Sequence, residues 1–158
     1  MRCDLSTWER AEIARSKKDA AALAGTHLHL SFKSQQRYYA PPADTAYSLE
    51  YMYYLLGDIR GKQVLDLGCG CGKNTVCLVS RGAHVVAVDI SEELVCTARR
   101  RFAAHSLSDR AQLVVGSAHA LPVADASIDV IFGNAVLHHL DLSRAVIEID
   151  LGNVLGRR

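Results

Sequence analysis

The sequence has no uninterrupted apolar stretch long enough to cross a bilayer, and none resembling the apolar centre of a secretory signal. Asp4, Glu9, Arg10, Glu12, Arg15, Lys17 and Lys18 interrupt its N-terminal stretch, so neither a membrane partner nor export is expected. Charge of one sign is also missing. Eighteen basic residues against 17 acidic ones leave a formal net charge of +1, without the excess that marks a phosphate-backbone partner, so no nucleic acid is expected. Cys3, Cys69, Cys71, Cys77 and Cys96 form an odd set, too sparse for a disulfide scaffold, which fits reduced thiols in a cytoplasm. Cys69 and Cys71 lack a second Cys-x-x-Cys cluster to complete a zinc site, so no metal is expected. Internal repeats and low-complexity tracts are absent.

What is present is a chain of 158 residues with 49% hydrophobic content, enough for one buried core. Residues 1–43 read as a charged, then aromatic, cap that ends where Pro41-Pro42 breaks any continuing helix. The main domain is expected over 44–158. Leu49, Met52, Tyr53 and Leu56 recur at helical spacing ahead of Gly57, a natural helix stop. Short β-rich runs then alternate with helical stretches, the pattern of parallel βαβ units. Strands are expected at 63–67, 84–88, 112–115 and 128–132, with helices at 73–80, 92–104 and 142–149. Ser91 caps the second of these helices and Asp141 the third, whose apolar face is Leu142, Ala145, Val146 and Ile149.

The chemistry concentrates where Val64-Leu65-Asp66-Leu67 runs into Gly68-Cys69-Gly70-Cys71-Gly72 and then a helix. Glycines there let the backbone approach a nucleotide-type ligand closely. Asp89, about twenty residues downstream at the end of the second strand, is placed to accept from both ribose hydroxyls. A dinucleotide fingerprint needs another glycine or alanine three places on, but Gly70 is followed there by Lys73 and Gly72 by Thr75, so NAD fits poorly.

Val64 to Thr75 resembles the first motif of class I S-adenosylmethionine-dependent methyltransferases, and Val85 to Ser91 resembles the acidic motif that follows it. The resemblance continues through Gly116 to Pro122 and Ser127 to Leu140, covering roughly residues 45 to 149. It implies an α/β, Rossmann-like three-layer sandwich with a mostly parallel sheet, a cofactor, S-adenosylmethionine, and methyl transfer to an O, N or C nucleophile of a small molecule. It also implies that Gly68, Gly70 and Gly72 surround the methionine portion, that Asp89 binds ribose, and that Ile90 packs beside adenine. Asp66 matches a residue supporting the loop and the cofactor's amino group, or else a turn carboxylate. Asn134 matches a position whose backbone meets the amino-acid end of the cofactor. The family often has an acid where this chain has Ser117, whose hydroxyl is a weaker, uncharged acceptor for the adenine amine. The Ala118 N–H can assist; Ser117 reads equally as a turn residue.

His138 and His139 follow the fourth strand, where α/β folds place ligand chemistry, and an imidazole there can take a proton from the methyl acceptor. The competing reading has one ring packed and the other solvated. Cys77 and Cys96 read as buried helix residues, and Cys69 and Cys71 as thiols that a helix N-terminus could activate. Tyr38, Tyr39, Tyr47, Tyr51, Tyr53 and Tyr54 favour an aromatic-lined pocket, in a region where the resembling family often places a lid, although Tyr47, Tyr51 and Tyr54 share a face that also suits packing.

The resembling family has a sheet in the order 3-2-1-4-5-7-6, whereas four strands are legible here, giving 3-2-1-4 without the usual strands five to seven. Asp150 to Arg158 also departs from the family. An exposed fourth strand would then invite self-association and impair turnover. The alternatives are a non-catalytic cofactor-binding or interaction module and, further off, an NAD-dependent oxidoreductase.

Overall fold

The computed structural model describes residues 5–23, 28–107 and 109–150. Cys3, Asp4 and the 151–158 stretch lie outside them. Three helices come first: α1 (Thr7–Leu23), α2 (Phe32–Gln36) and α3 (Ser48–Leu56), the last ending at Gly57 with φ +58°. The α/β region follows as β1 (Gln63–Leu67), α4 (Lys73–Ser80), β2 (His84–Asp89), α5 (Glu92–Ala104), β3 (Ala111–Val115), β4 (Val130–Phe132), a 3-10 turn (Leu137–His139) and α6 (Leu142–Asp150).

The sheet is wholly parallel, in the order β3-β2-β1-β4, with Leu65 of β1 opposite Val86 on one side and Ile131 on the other. The parallel pairing is what the βαβ pattern predicts, and the order is the Rossmann-like one that the family resemblance implies. Side chains alternate between two apolar clusters, as the pleat requires. Val64, Val85, Ala87 and Phe132 pack with Tyr53, Val76, Leu78 and Phe102 beneath α3, α4 and α5. Leu65, Leu67 and Val88 face the other way, where Leu121, Ile128, Val136 and Leu140 from the loops around β4 cover them.

β4 is shorter than the sequence suggests because Asp129 interrupts its start. The Gln63 N–H donates to Asp129 Oδ2 at 2.9 Å, and the Asp129 N–H donates to the Gln63 carbonyl. A side chain thus occupies part of the ladder. Three other expectations need correction. Leu142 and Val146 of α6 are 50% and 54% exposed, so only Ala145 of the named face is buried, while the Ile149 side chain lies outside the described set. Cys96 is exposed, because the inner face of α5 is taken by Val95, Ala98 and Phe102. Tyr47, Tyr51 and Tyr54 are all exposed, and Tyr53 is buried in the core against Tyr38 and Phe132. Among the described residues no helix is long and apolar enough to cross a membrane.

Candidate functional site

The glycine loop turns sharply at the carboxyl end of β1. Gly68 and Gly70 hold φ of +69° and +52°, conformations that penalise a Cβ. The Gly68 and Cys69 N–H groups both donate to the Val88 carbonyl, at 2.8 and 3.0 Å, which ties the turn to β2. Asp89 completes the link: Oδ2 accepts from the Gly70 N–H at 2.8 Å and Oδ1 from the Ser91 N–H at 2.9 Å. Burial pushes the Asp89 carboxyl up, opposed by these backbone donors. A carboxylate has about four acceptor positions, so beyond the Gly70, Ser91 and Ile90 N–H groups it keeps capacity for a ligand.

These groups border a cavity of about 190 Å³. Gly68, Gly70, Asp89 and Ile90 line one side, with Gly116, Ser117 and Ala118 at the end of β3. A Cβ on Gly70 would meet nothing within 4 Å, so the loop backbone opens directly onto available space. The cavity is small beside the roughly 300–1,000 Å³ of common ligand pockets, because α1 closes across it with Trp8, Glu9, Glu12, Arg15, Ser16 and Asp19.

Polar side chains secure that helix. Ser6 and Glu9 form a capping box: the Glu9 N–H donates to Ser6 Oγ at 3.2 Å and Glu9 Oε2 accepts from the Ser6 N–H at 2.8 Å. Glu9 Oε1 accepts from Ser117 Oγ at 2.5 Å and lies 3.3 Å from His119 Nδ1. Burial alone would raise the Glu9 carboxyl, but donors from Ser117, Ser6 and His119 outweigh it and hold the group at about 2. His119 Nε2 accepts from the Asp141 N–H at 3.1 Å, which leaves the ring hydrogen on Nδ1, facing Glu9.

His139 is held similarly. Trp8 Nε1 donates to its carbonyl at 2.6 Å, Arg15 Nη2 lies 3.0 Å from its Nε2, and Glu12 Oε2 lies 3.4 Å from its Nδ1. A guanidinium only donates, so Nε2 is the acceptor and Nδ1 carries the hydrogen. Burial first, then Arg15 and His138, lower the His139 pKa and favour this neutral form, against the pull of Glu12.

Of the residues read from sequence, Gly68, Gly70, Asp89, Ile90, Ser117, Ala118 and His139 border the cavity. Asp66, Gly72, Asn134 and His138 are not among its lining residues. Asp66 is buried under the loop, accepting from Thr75 Oγ1 at 2.5 Å; burial pushes its carboxyl up to about 7. Gly72 starts α4 at φ +77°, and a Cβ there would stand 2.9 Å from Ala98 Cβ, so it lets α4 and α5 pack closely. His138 packs against His139 with ring centres 3.7 Å apart and ring planes tilted by 50°. Cys69 is buried, and burial raises its thiol well above the ordinary value, the reverse of thiolate activation. No tyrosine lines the cavity; from the first 43 residues it is α1 that borders it.

Sequence reading missed Glu9, Glu12, Arg15 and His119. The capping-box spacing Ser6-x-x-Glu9 marks the helix start, and positions 8, 12, 15, 16 and 19 fall on one face. That face is mostly polar, so a search for apolar periodicity passes over it.

Residues 64–150 match the family described as a methyltransferase domain. A malonyl-(acyl-carrier protein) O-methyltransferase from Xylella fastidiosa is 38% identical over 96 residues, covering 60% of this chain and 30% of that protein. A demethylmenaquinone methyltransferase from Clavibacter sepedonicus is 40% identical over 73 residues, covering 46% of this chain and 29% of that protein. The chain therefore spans about 30% of the length of these relatives. Among solved structures, geranyl diphosphate C-methyltransferase from Streptomyces coelicolor superimposes with a TM-score of 0.69 at 15% identity, covering 97% of this chain and 62% of that one.

Proposed function

We propose that this chain, which belongs to the methyltransferase-domain family, binds S-adenosylmethionine and serves methyl transfer to a nucleophilic O, N or C atom of a small molecule. The observation that carries this reading is one cavity faced by the open backbone of Gly70 and by Asp89 with unused acceptor positions. The residues fit the group. Asp89 would accept from the ribose hydroxyls, Ile90 would pack against the adenine, and the open backbone of Gly70 would admit the amino-acid portion, while Gly68 lets the loop pack closely against Val136. When bound, S-adenosylmethionine supplies a methyl group already activated by a sulfonium. The protein's tasks are then to align the acceptor, exclude water and, for a protonated acceptor, receive a proton. α1 serves the exclusion. Of the two imidazoles that border the cavity, His139 is the one whose neutral form burial favours, and with Arg15 displaced its Nε2 would take that proton.

Titration with S-adenosylhomocysteine and NAD tests the cofactor assignment. Saturable binding of the former and none of the latter is expected; the opposite pattern overturns it. Asp89→Ala should weaken S-adenosylhomocysteine binding by roughly 1.5–3 kcal/mol, the range for losing hydrogen bonds to a charged acceptor. Unchanged affinity in that variant removes Asp89 from the site. Transfer of labelled methyl groups into a metabolite extract would identify the acceptor; binding without transfer points to a module that only holds the cofactor.

A further inference from the structure

The adenine end of the cavity presents an anion that the residue just past β3 does not provide. Ser117 follows β3, and its hydroxyl hydrogen is committed to Glu9 Oε1, 2.5 Å away. The hydroxyl therefore offers lone pairs, one of them accepting from the His119 N–H at 3.1 Å. Glu9 itself is 6% exposed and borders the same cavity as Ile90, Gly116 and Ala118. Its Oε2 keeps an acceptor position beyond the Ser6 N–H. The three groups form a short chain in which every hydrogen points towards the carboxylate. A ligand edge arriving there meets acceptors and a negative charge. It is suited to a hydrogen-bond donor and hostile to a carbonyl oxygen.

We propose that Glu9, delivered by α1, is the specificity-determining residue for the exocyclic amine of the cofactor's adenine, acting directly or through Ser117. The inference rests on the S-adenosylmethionine reading above and names a residue for the base subsite of that same cavity. It also explains how a chain with serine at position 117 retains an anionic acceptor: the charge comes from a helix 108 residues earlier.

A bland alternative is that Glu9 only holds α1 in place through its capping box. Glutamine separates the two, because it serves equally well in a capping box but adds an amide donor and removes the charge. The experiment compares S-adenosylhomocysteine with S-inosylhomocysteine, in which a carbonyl replaces the amine, by calorimetry against the wild-type chain and Glu9→Gln. The wild type should favour the adenosyl ligand by roughly ten- to a hundredfold, the cost of opposing a carbonyl to a buried acceptor. Glu9→Gln should shrink that ratio at least several-fold, chiefly by gaining affinity for the inosyl ligand. Equal wild-type affinity for both ligands overturns the inference, and this arm needs no variant to fold. A ratio unchanged in a folded Glu9→Gln protein overturns it too. Failure of the wild type to bind S-adenosylhomocysteine would instead overturn the functional reading, and this inference with it.

Discussion

Gly68→Ala is expected to destabilise the chain by roughly 2–5 kcal/mol and to abolish measurable S-adenosylhomocysteine binding. Two costs add. At φ +69° an alanine is held in the left-handed region, at about 1–2 kcal/mol. Its Cβ would also stand 2.4 Å from Val136 Cγ2 and 2.8 Å from Val136 Cβ, so the segment after β4 must shift, at roughly 1–3 kcal/mol. Val136 borders the cavity, and its displacement deforms the wall facing the loop. Gly70→Ala is the informative comparison. Its φ of +52° carries a similar backbone penalty, but nothing stands within 4 Å of its Cβ. Thermal unfolding of both variants should show Gly68→Ala melting well below Gly70→Ala; equal melting temperatures would mean that the Val136 contact relaxes without cost.

Arg101→Met should lower stability by about 2–4 kcal/mol, which corresponds to a fall in Tm of roughly 4–16 °C for a chain of this size. Arg101 is 1% exposed and sits at the inner end of α5. Its Nε donates to the Cys71 carbonyl at 2.8 Å and its Nη1 to the Leu28 carbonyl at 2.8 Å. One guanidinium thus joins the end of the glycine loop to the segment between α1 and α2. Methionine keeps much of the apolar stem but has no donor, so two carbonyls lose their partner at about 1–3 kcal/mol each. Relief from burying a cation works the other way and brings the upper end of the range down to about 4 kcal/mol. Calorimetric unfolding checks this. A variant as stable as the wild type would show that water replaces the guanidinium at both carbonyls.

β1, α4 and α5 were legible because local and tertiary signals agree there. An apolar run ends in glycines, a capping serine precedes Glu92 and Glu93, and the Ser91 hydroxyl does accept from the Leu94 N–H at 3.3 Å. α3 and its Gly57 stop followed from apolar spacing for the same reason. The start of β4 was misread because Asp129 replaces a ladder bond with a side-chain bond, which hydrophobic pattern does not register. The glycine loop and Asp89 could be found from a strand, a turn and an acid about twenty residues on. The opposite wall could not. It depends on a polar helix face meeting Ser117, His119 and His139 across long sequence separations, and polar periodicity carries little weight when core burial is the guide.

The two oxygens of the Glu9 carboxylate belong to different parts of the molecule, one to the first turn of α1 and the other to the wall beyond β3. Fraying of that turn therefore withdraws charge from the cavity, and anything that retains the charge restrains the fraying. Thermodynamic reciprocity makes the two effects equal in size. Occupancy at the base subsite should consequently be recorded at the very start of the helix, as slower amide exchange at Glu9 and Arg10, so that α1 reports from its N-terminal end on what the cavity holds.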